Sequence, residues 1–281
     1  IRDYTTEPEN GGLGVFAHEY AHDLGLPDLY DTSGGENGTG FWTLMSSGSW
    51  LGHGDGSIGT TPNHMGAWEK LQLGWLDYDV AAAGTKSTHK LGPSFHATKK
   101  QQALVVTLPR DAAGNGRYYI AENRQYMGYD GTLETGPYNF GWALSAPDTV
   151  EHYPYQNGML ITYWNAGQRN NNTSQHPGAG LVLPVDSHPR SLVWSDGAYA
   201  RNRIQSYDAT FGKEATDPIS LHRETAAGMT TLNVPSQPGV AVFDDTNPNA
   251  YYDPANPQAS VVVAGTGTKI QVIQSNPKGM M

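Results

Sequence analysis

Two histidines and a glutamate near the start of the chain have a spacing that could hold a metal ion. The stretch AHEYAHDLG places His18 and His22 four residues apart, with Glu19 beside the first histidine. In a helix, residues four apart are separated by about 6 Å along the axis and about 40° around it, so both imidazoles project from one face. Two such imidazoles can share one Zn²⁺. The expected chance number of H-E-x-x-H patterns in a chain with this His and Glu content is about 0.01, which favours a metal site.

The chemistry that this pattern could support is hydrolysis. A zinc-bound water has a lowered pKa, and a nearby carboxylate can take its proton as the water attacks a carbonyl carbon. Glu19 lies about 100° around the helix from His18, so it could reach such a water but is poorly placed to bind the metal. The pattern therefore predicts zinc as the cofactor and Glu19 as the general base.

A catalytic zinc needs a third protein ligand and an open position. Asp28, three residues after Gly25, is one candidate for this ligand. Glu69, on a second predicted helix, is the main rival, because some H-E-x-x-H peptidases take a glutamate from a downstream helix. His53 and His64 are further candidates for binding the metal or the substrate carbonyl. Each of these three also fits an ordinary surface or loop position.

Other acidic residues could support the site or bind Ca²⁺. Asp23 and Asp31 flank the pattern, and a carboxylate often holds the free N–H of a metal-bound imidazole. Asp31, Glu36 and Asn37 on a Gly-rich loop could instead surround a Ca²⁺ ion, which prefers oxygen ligands. The segment 244–253, DDTNPNAYYD, raises the same possibility, although Asp, Asn and Pro there also suit ordinary turns.

Two helices should position these residues. Residues 13–24 are predicted to form the first, and Gly25 is placed for a left-handed C-terminal cap. A second helix is predicted after Thr61 as N-cap and Pro62 as first helical residue. The first helix has an apolar arc, opposite the histidines, that is expected to face the core. The members of this apolar arc are Leu13, Phe16, Ala17, Tyr20 and Leu24.

The rest of the chain is predicted to be rich in short strands. QALVVTL and RYYIAENRQ flank the turn-forming PRDAAGNG, which predicts a β-hairpin. Similar apolar runs continue between Gly, Pro and Asn turns. We therefore expect an α+β protein, with a mostly helix-and-loop part over residues 1–78 and a β-rich, sandwich-like domain over residues 79–281.

Composition narrows the function classes. The 281 residues carry a net charge of −10 without a basic block, which argues against nucleic acid or an anionic membrane as partner. No apolar run is long enough to span a bilayer. The chain has no cysteine, so a metal site must use His, Asp or Glu. Few lysines and many Gly and Asn residues suit a secreted bacterial protein, and the start at Ile1 suggests a mature or trimmed piece.

The sequence also resembles a known family. HEYAHDLGLPDLYD followed by FWTLMSSGSW resembles the immune inhibitor A family of secreted bacterial metallopeptidases, whose catalytic domain is metzincin-like. The resemblance continues through AWEKLQLGWLDY, YYIAENRQ, GMLITYWN and GLVLPVDSHPR. It implies that His18, His22 and Asp28 bind zinc, that Glu19 is the general base, and that Met45 is the methionine of the turn beneath the metal. It also implies protein or peptide substrates outside the cell.

One feature of the family pattern is absent from these 281 residues. A metzincin-like domain normally has an upper half, a sheet and a helix, before the H-E-x-x-H helix, and only about a dozen residues precede that helix here. We therefore expect residues 1–78 to be the lower half of the catalytic domain, with the N-terminal catalytic subdomain as a partner. The alternative function is a non-catalytic binding or structural module. Aromatic residues that could line a sugar-binding face in such a module are Tyr118, Tyr119, Tyr153, Tyr155 and Trp164.

Overall fold

The protein has the α+β composition expected from its sequence. The computed structural model describes residues 5–35, 38–53, 58–95, 101–136, 138–139, 142 and 151–275. Its two longest helices are α1 (Leu13–Asp23) and α2 (Ala67–Gln72), and single-turn helices occupy Thr132–Thr135 and Asn202–Gln205. No helix among the described residues is long and apolar enough to cross a membrane. The strands are β1 (Tyr78–Ala82), β2 (Ala103–Thr107), β3 (Arg117–Arg124), β4 (Tyr138–Asn139), β5 (Glu151–His152), β6 (Gly158–Asn165), β7 (Val182–Pro184), β8 (Ile219–Thr225), β9 (Gly228–Val234), β10 (Val242–Asp244) and β11 (Lys269–Gln271).

A five-stranded mixed sheet forms the centre of the fold, in the order β1-β2-β3-β6-β7. Strand β1 runs parallel to β2, and the other neighbouring pairs are antiparallel. Strands β2 and β3 pair with Ala103 opposite Glu122, so the predicted hairpin around PRDAAGNG is confirmed. The remaining strands form three two-stranded sheets, β4–β5, β8–β9 and β10–β11.

The central sheet is covered on both faces. Side chains alternate between the two faces of a strand, and the buried residues of β2 and β3 divide accordingly. Val105 and Ile120 pack with the helical part of the chain, whereas Leu104 and Tyr119 pack with strands β10 and β11 near the C-terminus. The first cluster joins residues from both sides of position 78, namely Ala21, Leu26, Leu29, Met45, Ala67, Trp68, Leu76, Ala103, Val105, Ile120 and Val182.

Helix α1 buries a different face from the one predicted. The residues of α1 that are buried are Gly14, His18 and Ala21. They are four and three residues apart, so they share one face. A Cβ atom on Gly14 would lie 2.0 Å from the Ser49 carbonyl oxygen, so this face is packed tightly against the turn Ser47–Trp50. The apolar arc was predicted to face the core, and this is wrong for its four large members, whose side chains are exposed: Leu13, Phe16, Tyr20 and Leu24.

The second helix begins later than predicted. Its N-cap is Gly66, and Thr61 and Pro62 lie in the preceding loop. The Glu69 carboxylate accepts the Gly66 N–H and so takes up one of the free donors at the helix start. The loop before it is held by Asn63, whose amide donates to the Phe41 carbonyl at 2.6 Å. Tertiary contacts therefore override the Thr-Pro start signal.

Candidate metal centre

Three of the predicted ligands meet at one point. The Nε2 atoms of His18 and His22 lie 3.1 Å and 3.2 Å from the same carboxylate oxygen of Asp28, its Oδ1. The three potential ligand atoms all lie within 4.8 Å of one another. His18 is buried, while His22 and Asp28 are partly exposed, so one side of the group faces open space. This arrangement could hold one metal ion and leave a position for a substrate or water.

Backbone carbonyls fix which imidazole nitrogen faces the group. Nδ1 of His18 lies 2.8 Å from the Leu44 carbonyl oxygen, and Nδ1 of His22 lies 2.8 Å from the Leu26 carbonyl oxygen. A carbonyl can only accept a hydrogen bond, so each Nδ1 carries the proton in the neutral ring. Each Nε2 then presents a lone pair, as a metal ligand must.

A tight turn after α1 brings Asp28 back to the histidines. Gly25 has φ +97°, a left-handed conformation that glycine adopts without strain, so the predicted cap is confirmed. The Gly25 N–H donates to the His22 carbonyl and the Leu26 N–H to the Ala21 carbonyl, the pair of bonds that ends a helix in a Schellman motif. The chain thus reverses within a few residues and passes Asp28 beneath α1.

Met45 lies in the turn that supports this site. Its side chain is fully buried. Its carbonyl accepts a hydrogen bond at 2.7 Å from the N–H of Leu29, the residue that follows Asp28. The preceding residue, Leu44, provides the carbonyl that holds His18. The turn therefore contacts the chain next to two of the three candidate ligands. The role of Met45 as the family's turn methionine stays a prediction.

Glu69 is not beside the candidate ligands. It is fully buried, and its Oε1 accepts the Met45 N–H at 3.0 Å, while Oε2 accepts the Gly66 N–H. Burial raises the pKa of Glu69 to about 7, although these two N–H donors act in the opposite direction. The alternative in which Glu69 is the third ligand disagrees with this geometry, because both carboxylate oxygens are engaged in holding the turn.

A buried charge network continues from Glu69 into the central sheet. Glu122 on β3 accepts the Ala67 N–H at 3.1 Å. Arg124, also on β3, donates to both carboxylate oxygens of Asp130 at 2.8 Å and to the Trp42 carbonyl at 2.7 Å. Strand β3 thus braces the segment that leads into the Met45 turn. Sequence reasoning missed this network, because its members are far apart along the chain.

His18 and Asp28 shift each other's pKa values. Burial lowers the pKa of His18, but the hydrogen bond to Asp28 and the contact with the Leu44 carbonyl outweigh it, so the pKa is raised. Burial raises the pKa of Asp28, but the two histidines and a hydrogen bond from Tyr30 outweigh it, so the pKa is lowered. A carboxylate that stays ionised beside two imidazoles suits binding of a cation.

Tyr30 is a residue of this site that sequence reasoning missed. Its hydroxyl hydrogen-bonds the Asp28 carboxylate, and its ring stacks on His18 with 6.4 Å between ring centroids. Burial and the charge of Asp28 raise the pKa of Tyr30, so the phenol stays protonated and able to donate. Its position two residues after Asp28 was the only signal available in the sequence.

The structure places neither flanking aspartate against an imidazole N–H. Asp23 is exposed and its carboxylate lies 3.4 Å from the Thr5 hydroxyl. Asp31 is buried and accepts the N–H groups of Ser33 and Ser174. Both expected supporting roles fail for one reason, since backbone carbonyls already occupy the two Nδ1 atoms.

The calcium expectations gain no geometric support. Among the described residues, Asp31 belongs to no cluster of metal-binding side chains, and Glu36 and Asn37 lie outside the described residues. In segment 244–253, Asp244 bonds Thr246 and Lys269 and so acts as a turn and strand-pairing residue.

The two other histidine candidates also lie elsewhere. His64 packs against the rings of Phe95 and Tyr129, and burial lowers its pKa to about 4. Nδ1 of His53 lies 3.4 Å from the Thr135 hydroxyl. Neither belongs to the group formed by the three candidate ligands.

The aromatic residues considered for a sugar-binding face are mainly core residues. Tyr119, Tyr153 and Tyr155 are buried, and Tyr118 stacks on Trp164 across β3 and β6 with 4.4 Å between ring centroids. Cross-strand packing accounts for that pair. This arrangement does not favour the alternative of a carbohydrate-binding module.

Comparisons with known proteins give the same family for both parts of the chain. Residues 1–76 match the family model described as immune inhibitor A peptidase M6, catalytic domain. Residues 113–280, more than half of the chain, match the model described as immune inhibitor A-like metallopeptidase, VEG domain.

Two curated relatives agree with these matches. Immune inhibitor A of Bacillus thuringiensis subsp. alesti is 37% identical over 137 residues, which cover 42% of this chain and 20% of the relative. Pre-pro-metalloprotease PrtV of Vibrio cholerae serotype O1 (strain M66-2) is 49% identical over 75 residues, which cover 25% of this chain and 8% of the relative. The matches thus span a fifth or less of each relative's length. With its catalytic-domain and VEG-domain matches, the chain belongs to the immune inhibitor A-like metallopeptidases.

Proposed function

We propose that this chain holds the zinc site of a metalloendopeptidase that hydrolyses peptide bonds in proteins. The observation that carries the proposal is the meeting of two imidazole Nε2 atoms and one carboxylate oxygen within 4.8 Å. Three protein ligands with an open side suit a catalytic zinc, whereas a structural zinc would need four. The proposed ligands are His18, His22 and Asp28.

In this proposal Glu19 acts as the general base and then as the proton donor to the leaving group. Zinc, when bound, lowers the pKa of a water and polarises the scissile carbonyl. Glu19 follows His18 on α1 and is partly exposed, so its carboxylate is accessible to water. It accepts the proton of the attacking water and delivers it to the amide nitrogen of the leaving peptide. The backbone carbonyls behind the histidines keep both rings oriented throughout.

The exposed apolar arc of α1 supports the proposed partner. Leu13 is 51% exposed, Phe16 43% and Tyr20 63%. Adjacent exposed apolar side chains mark a surface that another protein element covers. We propose that an N-terminal catalytic subdomain packs there and completes the substrate cleft. In the same proposal, residues 1–78 belong to the catalytic domain and residues 79–281 to the β-rich domain.

The proposed place of action is outside a bacterial cell. Few lysines and many Gly and Asn residues suit such a location, and the Vibrio relative carries the name of a pre-pro-metalloprotease. Proteins or peptides are the proposed substrates. Calcium binding remains an expectation of the sequence.

Replacement of the general base tests the mechanism. Glu19→Gln keeps the size of the side chain and removes its basicity, so zinc content should stay unchanged while cleavage of an unfolded protein falls by about 10²–10⁴-fold. The control is Glu9→Gln, at an exposed position before α1, which should cleave like the wild type. Full activity in Glu19→Gln, or activity that survives removal of the metal by a chelator, would contradict the proposal. A zinc-loaded wild type without activity would show that this chain alone is not a peptidase.

A further inference from the structure

A second group of metal-binding side chains lies in the β-rich part of the chain. Asp186 and His188 follow strand β7, and Asp208 ends the 3₁₀ turn Ser206–Asp208. Their potential ligand atoms all lie within 4.8 Å of one another. His188 Nδ1 is 3.7 Å from Oδ2 of Asp208. None of these residues belongs to the metal centre on α1.

The orientation of His188 turns its Nδ1 toward the two carboxylate residues of this group. Its Nε2 lies 3.0 Å from the Pro238 carbonyl oxygen, and a carbonyl can only accept, so Nε2 carries the proton in the neutral ring. The lone pair of Nδ1 then faces two oxygen atoms, the Ser187 hydroxyl at 2.9 Å and the Asp208 carbonyl at 3.0 Å. Two acceptors at that distance repel unless a positive charge lies between or beside them. The tautomer logic is the same as for His18 and His22.

Hydrogen-bond acceptors outnumber donors around this group. The Ser187 hydroxyl has one proton but lies near three acceptors: the Asp208 carbonyl at 3.0 Å, the Thr210 carbonyl at 2.8 Å and Nδ1 of His188 at 2.9 Å. Asp208 is only 4% exposed, and its Oδ1 has no hydrogen-bond partner of good geometry, although the Tyr207 hydroxyl is beside the carboxylate. A buried carboxylate oxygen without a partner is costly and calls for an explanation.

The two carboxylates are also unfavourable as neighbouring charges. Asp186 and Asp208 offer carboxylate oxygens within 4.8 Å of each other, and Asp208 is buried. Either protons or a metal ion must balance two acids held this close. A divalent cation would balance both at once.

We propose that Asp186, His188 and Asp208 bind a second divalent metal ion, with the Asp208 carbonyl oxygen as an additional ligand. One imidazole and two carboxylates suit Zn²⁺ or Mn²⁺ better than Mg²⁺. The ion would tie the end of β7 to the turn Ser206–Asp208. A cavity of about 830 Å³ has His188 and Thr210 in its wall and so reaches the edge of this group. The inference does not depend on peptidase activity.

Metal content of matched variants tests this site separately from the one on α1. The full chain is equilibrated with Zn²⁺ or with Mn²⁺, freed of loose metal, and analysed by mass spectrometry. Asp208→Asn should bind one equivalent less than the wild type, whereas the control Asp217→Asn, at a nearby exposed position, should bind as much. His22→Ala should lose the other equivalent and keep the one that depends on Asp208. The double variant should bind none.

Two results would overturn the proposal. One is equal metal content in Asp208→Asn and the wild type, with both chains folded by circular dichroism. The other is a His22→Ala chain that binds neither Zn²⁺ nor Mn²⁺, which would indicate that protons balance the two acids. This second result does not require that an Asp208 variant folds. Loss of metal in His22→Ala together with retention in Asp208→Asn would reject this site and leave the α1 site intact. The reverse pattern would reject the α1 site alone.

Discussion

At the scale of single residues, the geometry of the metal centre depends on atoms that no motif contains. The carbonyl oxygens of Leu44 and Leu26 set the tautomers of His18 and His22. Any residue could supply such a carbonyl, so the sequence shows the ligands but not the groups that orient them. Tyr30 is the supporting side chain at this site, because its hydroxyl holds the Asp28 carboxylate.

Removing that hydroxyl should weaken metal binding without removing it. Tyr30→Phe deletes one hydrogen bond to Asp28, and loss of a partner of this kind costs about 10–100-fold in metal affinity. The measurement is a zinc titration in competition with a chromophoric chelator. Tyr20→Phe, on the exposed face of α1, is the control and should leave the affinity unchanged. Equal affinities in both variants would show that Tyr30 does not position Asp28.

At the scale of elements, close packing decides which face of α1 is buried. Gly14 is small enough to let the helix approach the turn Ser47–Trp50, and His18 and Ala21 are buried on the same face of α1. Glu69 on α2 then holds the following turn by accepting the Met45 N–H at 3.0 Å. Backbone contacts therefore act together with apolar burial in positioning the elements around the site.

The Glu69 contact predicts a pH dependence of stability. The pKa of this group is about 7 in the folded protein against 4.5 in the unfolded chain. Above pH 7 the folded state must bury a charge, so its free energy of unfolding is expected to fall between pH 4.5 and pH 7, by up to about 3 kcal/mol. Glu69→Gln lacks this titration and loses one N–H contact, so it should be less stable than the wild type at pH 5.

The difference in the free energy of unfolding between Glu69→Gln and the wild type should become smaller at pH 8. Urea unfolding at pH 5 and pH 8 measures it, and Glu9→Gln, at an exposed position, is the control for a change of net charge. A stability difference between Glu69→Gln and the wild type that stays constant or grows from pH 5 to pH 8 would contradict the raised pKa.

Predictions from the sequence succeeded where the interactions are local along the chain and failed where they are long-range. The spacing of His18, His22 and Asp28 is local, and the structure brings these residues together. The hairpin of β2 and β3 and the cap at Gly25 are local too, and both are confirmed. The wrong predictions concern long-range contacts, since the buried face of α1 and the start of α2 depend on segments far along the chain.

At the scale of the whole molecule, the central sheet connects the metal centre with the β-rich part. One face of β2 and β3 packs against the helical segment and the other against β10 and β11. Arg124 on β3 connects the helical part with the β-rich part, because its guanidinium donates hydrogen bonds to the Trp42 carbonyl and to the Asp130 carboxylate. Removing one partner of a buried ion pair such as Arg124 and Asp130 lowers the free energy of unfolding by about 3–5 kcal/mol. The fold therefore gives the metal centre a rigid support within these 281 residues.

The most direct test of the proposed metal centre is a comparison of zinc binding by the purified wild-type chain and by Asp28→Ala. We expect Asp28→Ala to bind one equivalent less than the wild type, or to bind it more than about 100-fold more weakly, because loss of a ligand should exceed loss of a supporting contact. Asp23→Ala, which removes an exposed carboxylate at the end of the same helix, should bind like the wild type. Full zinc binding by Asp28→Ala, or a wild-type chain that binds no zinc at all, would contradict the proposed centre.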